Sequence, residues 1–203
     1  MFKYELLFAL LMKGRKEKRK WGLIVFIIII MIGTTFSFVF FGFQTQTDVA
    51  KYNGIKFVRY ADRWEAKING KRAAFSFLPA EVKDLNASGD FSKMLQNKIE
   101  IDVTYDSNDT YKESIALAQH QMGLVLSQYG IFVRKGFINN NTFNVPVIAC
   151  KDASANVPVI YFKTANSTNI RVESNCVIAE ASSEINFIKL KDKLLYGILG
   201  VVK

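Results

Sequence analysis

The sequence predicts an α+β protein: one N-terminal transmembrane helix, then a single mixed or antiparallel sheet domain with two main helices. Three observations lead there. An apolar run without a charge occupies residues 21–43, short β-branched and aromatic runs follow it, and two amphipathic stretches lie at residues 111–129 and 183–199. A chain of 203 residues holds one compact domain plus an anchor and is short for two ordinary domains.

From Trp21 to Phe43 the chain reads WGLIVFIIIIMIGTTFSFVFFGF. As a helix, at about 1.5 Å per residue, this covers roughly 35 Å, enough for a hydrocarbon core with some tilt. A run apolar on every face has no polar side to offer water, which separates it from a buried helix of a soluble domain. Lys13, Arg15, Lys16, Lys18, Arg19 and Lys20 flank its N-terminal side, and the next cation after it is Lys51. The positive-inside rule therefore sets three segments. Residues 1–20 are a cytoplasmic basic segment, 21–43 a single-pass signal anchor, and 44–203 an extracytoplasmic domain, with the lipid bilayer as first partner. A cleaved signal peptide is the rival, but the apolar stretch is about twice the usual length and Gln44–Thr47 lacks a small-residue cleavage site. Residues 1–12 read either as a short apolar helix on the inner surface or as a frayed terminus, and Gly33 with Ser37 makes a small-xxx-small pair.

Charge follows the same division. The net +9 is partly an orientation signal, since residues 44–203 carry twenty Lys/Arg against sixteen Asp/Glu. No arginine-rich stripe or aromatic-interleaved basic patch is visible in the linear sequence, so nucleic acid is not an expected partner. Both cysteines, Cys150 and Cys176, fall in the outer segment, where disulfides persist. A bridge would close a loop of about 27 residues, worth ~3 kcal/mol in the chain-entropy picture; two buried free thiols fit the sequence as well. Four glycosylation sequons, at Asn86, Asn108, Asn140 and Asn166, also lie beyond the apolar run.

Asn53-Gly54 and Asn69-Gly70 punctuate the stretch from Val49 to Leu78 as the tight turns of a small antiparallel meander, with the strand-like runs IKFVRY and WEAKI between them, and Pro79 ends its third strand and opens a short helix. In KIEIDVTY (98–105), Ile99, Ile101 and Val103 alternate with Glu100, Asp102 and Thr104, a half-buried strand with its charges on the wet face. The next helix has Thr110 and Glu113 in capping-box spacing, an apolar stripe of Tyr111, Ile115, Ala118, Met122, Val125 and Tyr129, and Gly130 as its stop. IFVRKGF, VPVIAC, VPVIYFK, NIRVE and CVIAEA read as strands, both prolines starting one. In the last helix Ile185, Ile188, Leu195 and Leu199 face inward, Lys189, Lys191, Asp192 and Lys193 form the polar face, and Gly200 is the stop.

Parts for catalysis are few. His120, the only histidine, lies off its helix's apolar stripe, and there is no glycine-rich phosphate loop, nucleophile motif, CxxC or metal-spaced cluster, so no catalytic residue, cofactor or metal is assigned. A hydrolase would need a cleft assembled from Glu100, Asp102, Asp106, Glu173 and Glu180.

The strand–helix–strand order followed by a proline-led strand, a hairpin and a last helix resembles a thioredoxin-like layout without its paired redox cysteines. The Lys13–Lys20 run, Tyr52-Asn53-Gly54, Pro79-Ala80-Glu81, VPVIYFK (157–163), Asn175-Cys176 and LKDKLLYGILG (190–200) carry a broader likeness. On these the chain resembles an uncharacterised family of small single-pass archaeal membrane proteins with an α+β outer domain. The resemblance implies an address and a fold class, and no reaction. The function expected is a non-enzymatic binding or accessory-subunit role with a protein partner in or outside the membrane. The alternative is a membrane-tethered, thioredoxin-like redox or redox-derived domain using Cys150 and Cys176.

Overall fold

A computed structural model describes residues 21–34 and 48–202, in a chain that divides into two units, Met1–Gln46 and Thr47–Lys203. In the first unit, residues 21–34 form a helix, α1, exposed along its whole described length. At about 1.5 Å per residue these fourteen described residues cover roughly 21 Å. Among the described residues no helix is long and apolar enough to cross a membrane. This finding overturns the expected fold of one spanning helix plus one sheet. Residues 35–43 of the expected span, the basic segment with Lys13, Arg15, Lys16, Lys18, Arg19 and Lys20, and Ser37 lie outside the described residues.

The second unit corrects the other half of that expectation, because it contains two sheets. The first is a meander of four antiparallel strands, β1 (Val49–Tyr52), β2 (Ile55–Tyr60), β3 (Arg63–Ile68) and β4 (Lys71–Phe75), in the order β1-β2-β3-β4. Its first and third turns are the two Asn-Gly pairs, with φ of +47° and +79° at Asn53 and Gly54 and +48° and +82° at Asn69 and Gly70. Asn and Gly tolerate that left-handed backbone best. The middle turn is at Ala61 (φ +54°), a residue with no turn signal, between the runs IKFVRY and WEAKI, and the meander has four strands before Pro79 where three were expected. Pro79 does open a helix, the one-turn α2 (Pro79–Val82).

The second sheet is mixed, in the order β5-β9-β10-β8-β6-β7. β6 (Glu100–Tyr105), β7 (Phe132–Phe137), β8 (Val159–Thr164) and β10 (Cys176–Ala181) run parallel; β9 (Asn169–Glu173) is antiparallel to β10, and the two-residue β5 (Asn86–Ala87) closes that edge. VPVIAC is no strand: Val147 makes one isolated bridge to Phe137, and Cys150–Asp152 is a single 3-10 turn. β5 and the short helix α3 (Phe91–Leu95) carried no readable periodicity.

Two long helices, α4 (Lys112–Gln128) and α5 (Glu184–Ile198), pack on each other and reach both sheets, so the core is continuous through three layers. The α4 stripe is as expected: Ile115, Ala118, Met122 and Val125 are buried. Gly130 (φ +75°) ends the helix, with Ile131 N–H donating to Leu126 O at 3.1 Å. Its start differs, because Tyr111 is the cap residue and the Asp109 carboxylate, not Thr110, takes the Tyr111 N–H at 2.9 Å.

α5 departs most from its sequence pattern. Ile185 is 53% exposed, whereas Lys191, Asp192 and Lys193 are 2%, 0% and 8% exposed. A helix between two sheets is covered all round, so its charges go inside and must find partners there. Lys191 Nζ lies 2.6 Å from Asp192 Oδ1, and Asp192 Oδ2 accepts the N–H groups of Ser76 and Phe77, both at 2.8 Å. Burial pushes the Asp192 carboxyl above the usual aspartate range, opposed by the Lys191 ammonium and those two N–H groups. The Lys193 ammonium donates to the carbonyls of Lys83 and Leu85, and the Tyr196 hydroxyl to Phe77 O. The supposed wet face of α5 is thus what binds residues 76–85, the chain between the two sheets.

Candidate functional site

One face of the six-stranded sheet lies on α4 and α5; the other carries most of the sequence-singled residues. Along β6, Ile101 and Val103 point to the helices, while Glu100, Asp102 and Thr104 share the outer face with Val159, Tyr161, Cys176, Ile178 and Glu180. That face is not wet at its centre: Asp102 is 1% and Thr104 0% exposed. Residues 146–153 cross it. Ile148 is buried with Val159, Cys176 and Ile178, and its carbonyl accepts the Thr104 hydroxyl at 2.8 Å. Glycine at 136 is required by this crossing, since a Cβ there would come within 2.7 Å of Ile148 and 2.8 Å of Pro146 O.

Cys150 and Cys176 form a disulfide, with Cα atoms 5.3 Å apart. Cys176 is the first residue of β10 and Cys150 begins the 3-10 turn, so the bond fastens the crossing segment to the centre of the sheet.

The five carboxylates named for a hydrolytic cleft all belong to this face or its edge, and each is committed. Arg134 meets Asp102 with two parallel bonds of 2.8 and 2.6 Å and stands 3.5 Å from Glu100. Glu180 lies 3.2 Å from Lys163 and 3.4 Å from Arg171, and Glu173 pairs with Arg171. Asp106 accepts from Asn139 Nδ2 and Asn108 N–H, both at 2.8 Å. A general acid or base needs a carboxyl free to exchange its proton with a substrate; here each is tied to a cation or an amide. No group of three His, Cys, Asp or Glu among the described residues is placed to hold a metal ion. His120 is exposed on α4.

Glu180 gives this network a pH signature. Burial raises its pKa, but Lys163, Asn169 and Arg171 together outweigh burial and hold it below the ordinary glutamate value. A carboxyl depressed in the folded state adds stability above its unfolded pKa of about 4.3, and that stability is lost as pH falls through the lower folded value. Glu180→Gln is expected to cost about 1 kcal/mol at neutral pH, with the gap to the parent narrowing as pH falls below about 4.3. Urea unfolding at pH 7 and pH 3.5 measures both; a gap that does not narrow at the lower pH contradicts the assignment.

The four sequon asparagines, Asn86, Asn108, Asn140 and Asn166, are all exposed. Asn108, Asn140 and Asn166 follow the carboxyl ends of β6, β7 and β8, three parallel strands, and so share one edge of the sheet.

A further feature is absent from the sequence reading. On the outward face of the meander, Lys51 is paired in register with Lys56, and Lys67 with Arg72. The β2–β3 register, continued one step, sets Lys56 beside Lys67. Four exposed cations therefore stand in one row across four strands, and among the described residues none has an acidic partner. Like charges directly opposite in a sheet are destabilising by a few tenths of a kcal/mol or more per pair. Spacings of five, eleven and five residues hide the row in the sequence. The signal that exposes it is a repeat, KYNGIK at 51–56 and KINGKR at 67–72: an Asn-Gly hairpin sets the residues two before Asn and two after Gly face to face.

No family model, curated protein or solved structure matches the chain. The geometry thus stands by itself: a stapled, fully paired acidic face on one sheet and an unpaired basic row on the other.

Proposed function

We propose that residues 48–202 are a non-enzymatic binding domain that works outside the cytoplasm beside a lipid bilayer, as an accessory part of a larger membrane assembly. The disulfide carries this reading, because a bond that fastens a whole crossing segment to the sheet is the usual mark of an oxidising compartment and rare in the cytoplasm. The exposure of all four sequon asparagines supports it. So does α1, whose Trp21, Phe26, Ile29 and Met31 are each more than 60% exposed and find an apolar environment in lipid. A tethered thioredoxin-like redox role for Cys150 and Cys176 competes with it; Cys176, 1% exposed beneath the crossing segment, is ill placed for thiolate attack and favours the structural role. Protease added to intact spheroplasts should degrade residues 48–202 of the membrane-associated chain. A domain that survives until the cells are lysed overturns the reading.

A further inference from the structure

We propose that the row Lys51, Lys56, Lys67 and Arg72 is a docking face for an anionic lipid headgroup surface. The inference rests on the membrane placement proposed above and adds to it which face of the domain meets the bilayer and by what chemistry.

The charge distribution points there first. Residues 48–75 hold seven Lys/Arg against three Asp/Glu, and residues 76–203 hold thirteen against thirteen. The whole excess of the outer segment therefore sits in the meander, and an otherwise neutral domain has one positive pole. Of the three acids, Asp48 pairs with Arg59, Glu65 pairs with Arg63, and Asp62 lies in the β2–β3 turn at the end of those strands away from Lys56 and Lys67, which leaves the row uncompensated.

Shape points the same way. Strands about 4.8 Å apart put the four charges along roughly 14 Å of an open sheet face. A flat anionic headgroup surface can meet all four charges of such a row at once. Soluble polyanions are bound differently: single-stranded nucleic acid lies in a groove with aromatic side chains interleaved among the cations. Here successive members of the row are nearest neighbours, and the exposed aromatic of the face, Tyr60, lies at the far end of β2 from Lys56. The chain order adds a third argument: only residues 35–48 separate the meander from the exposed apolar stretch of α1.

Each cation near an acidic membrane surface contributes about a fivefold gain in partitioning, and the gain is screened by salt. The test uses the full chain, transferred from detergent into vesicles that are either zwitterionic or about 30% anionic lipid. Flotation reads membrane association, and amine-reactive labelling with mass-spectrometric readout gives the rate at each lysine. Lys51, Lys56 and Lys67 should label about threefold or more slowly on anionic vesicles, with the protection lost near 0.5 M salt, while exposed Lys112 and Lys151 label equally on both. Lys56→Gln with Lys67→Gln, two exposed changes, should weaken the face about 25-fold and return Lys51 to its rate on zwitterionic vesicles. Protein that floats with both vesicle types yet labels equally overturns the docking face and leaves the membrane placement standing. Protection by heparin or single-stranded DNA but not by anionic vesicles overturns it in favour of a soluble polyanion. A chain that floats with neither overturns the membrane placement, and the docking face with it.

Discussion

Asp192→Asn should lower the stability of the domain by about 3–5 kcal/mol, the range seen when one partner of a buried ion pair is removed. The substitution is nearly isosteric, so the loss is chemical. In the native arrangement one carboxylate oxygen takes two backbone N–H groups, from Ser76 and Phe77, and the other faces the Lys191 ammonium. An amide has one acceptor. With its oxygen toward Ser76 and Phe77 its NH2 meets an ammonium, and with its oxygen toward Lys191 it meets two N–H donors. In either orientation donor faces donor in a place where Asp192 is 0% and Lys191 2% exposed. At roughly 3 °C per kcal/mol for a domain of this size, the midpoint should fall by about 10–15 °C. Lys191→Met, which strands the carboxylate instead, should cost a similar amount. The double change should cost clearly less than the sum of the two, because neither buried charge is then left alone. Thermal and urea unfolding of the three variants test this; additive losses would mean that the pair is not coupled.

The same residues show where sequence reading ran out. Positive backbone angles at Asn53, Gly54, Asn69, Gly70 and Gly130 were legible because steric cost at φ > 0 is a property of the residue itself. The β6 alternation was legible for the same local reason, since successive side chains of a strand point to opposite faces. What covers a face is not local. Asp102 and Thr104 look like wet-side residues until Ile148, more than forty positions later, is laid over them. Lys191, Asp192 and Lys193 look like a solvated helix face until the chain at 76–85, more than a hundred positions earlier, is found against them. Ala61 gave no turn signal, so the meander was a strand short, and the pairing that lines up the four cations could not be drawn. Strand-like runs alone carry no record of their partners, so they read as one sheet. Register makes two sheets, since β4 pairs with β3 alone, and the first strand after it, β5, pairs with β9.

Loss of the Cys150–Cys176 bond is expected to be nearly as costly, and to differ in kind. Joining residues 26 apart in sequence removes loop-closure entropy from the unfolded chain worth about 3.5 kcal/mol. Cys150→Ser with Cys176→Ser should therefore lower stability by about 3–4 kcal/mol in urea. A second effect acts on the folded state. Besides the disulfide, the crossing segment is held to the sheet through the small cluster around Ile148, the Thr104–Ile148 hydrogen bond and the two backbone bonds that join Phe137 to Pro146 and Ile148. These are worth a few kcal/mol together, little enough for the segment to open by itself while the sheet stays folded. Amide exchange in the double variant should accordingly rise most at residues 145–154, whereas β6, β8 and β10 keep protection close to the global limit. Asp192→Asn should show the opposite distribution, with protection falling throughout, because the chain it anchors lies between the two sheets. If removing the disulfide lowers protection evenly across the domain and leaves residues 145–154 no worse than the rest, the bond is not what keeps that segment on the sheet.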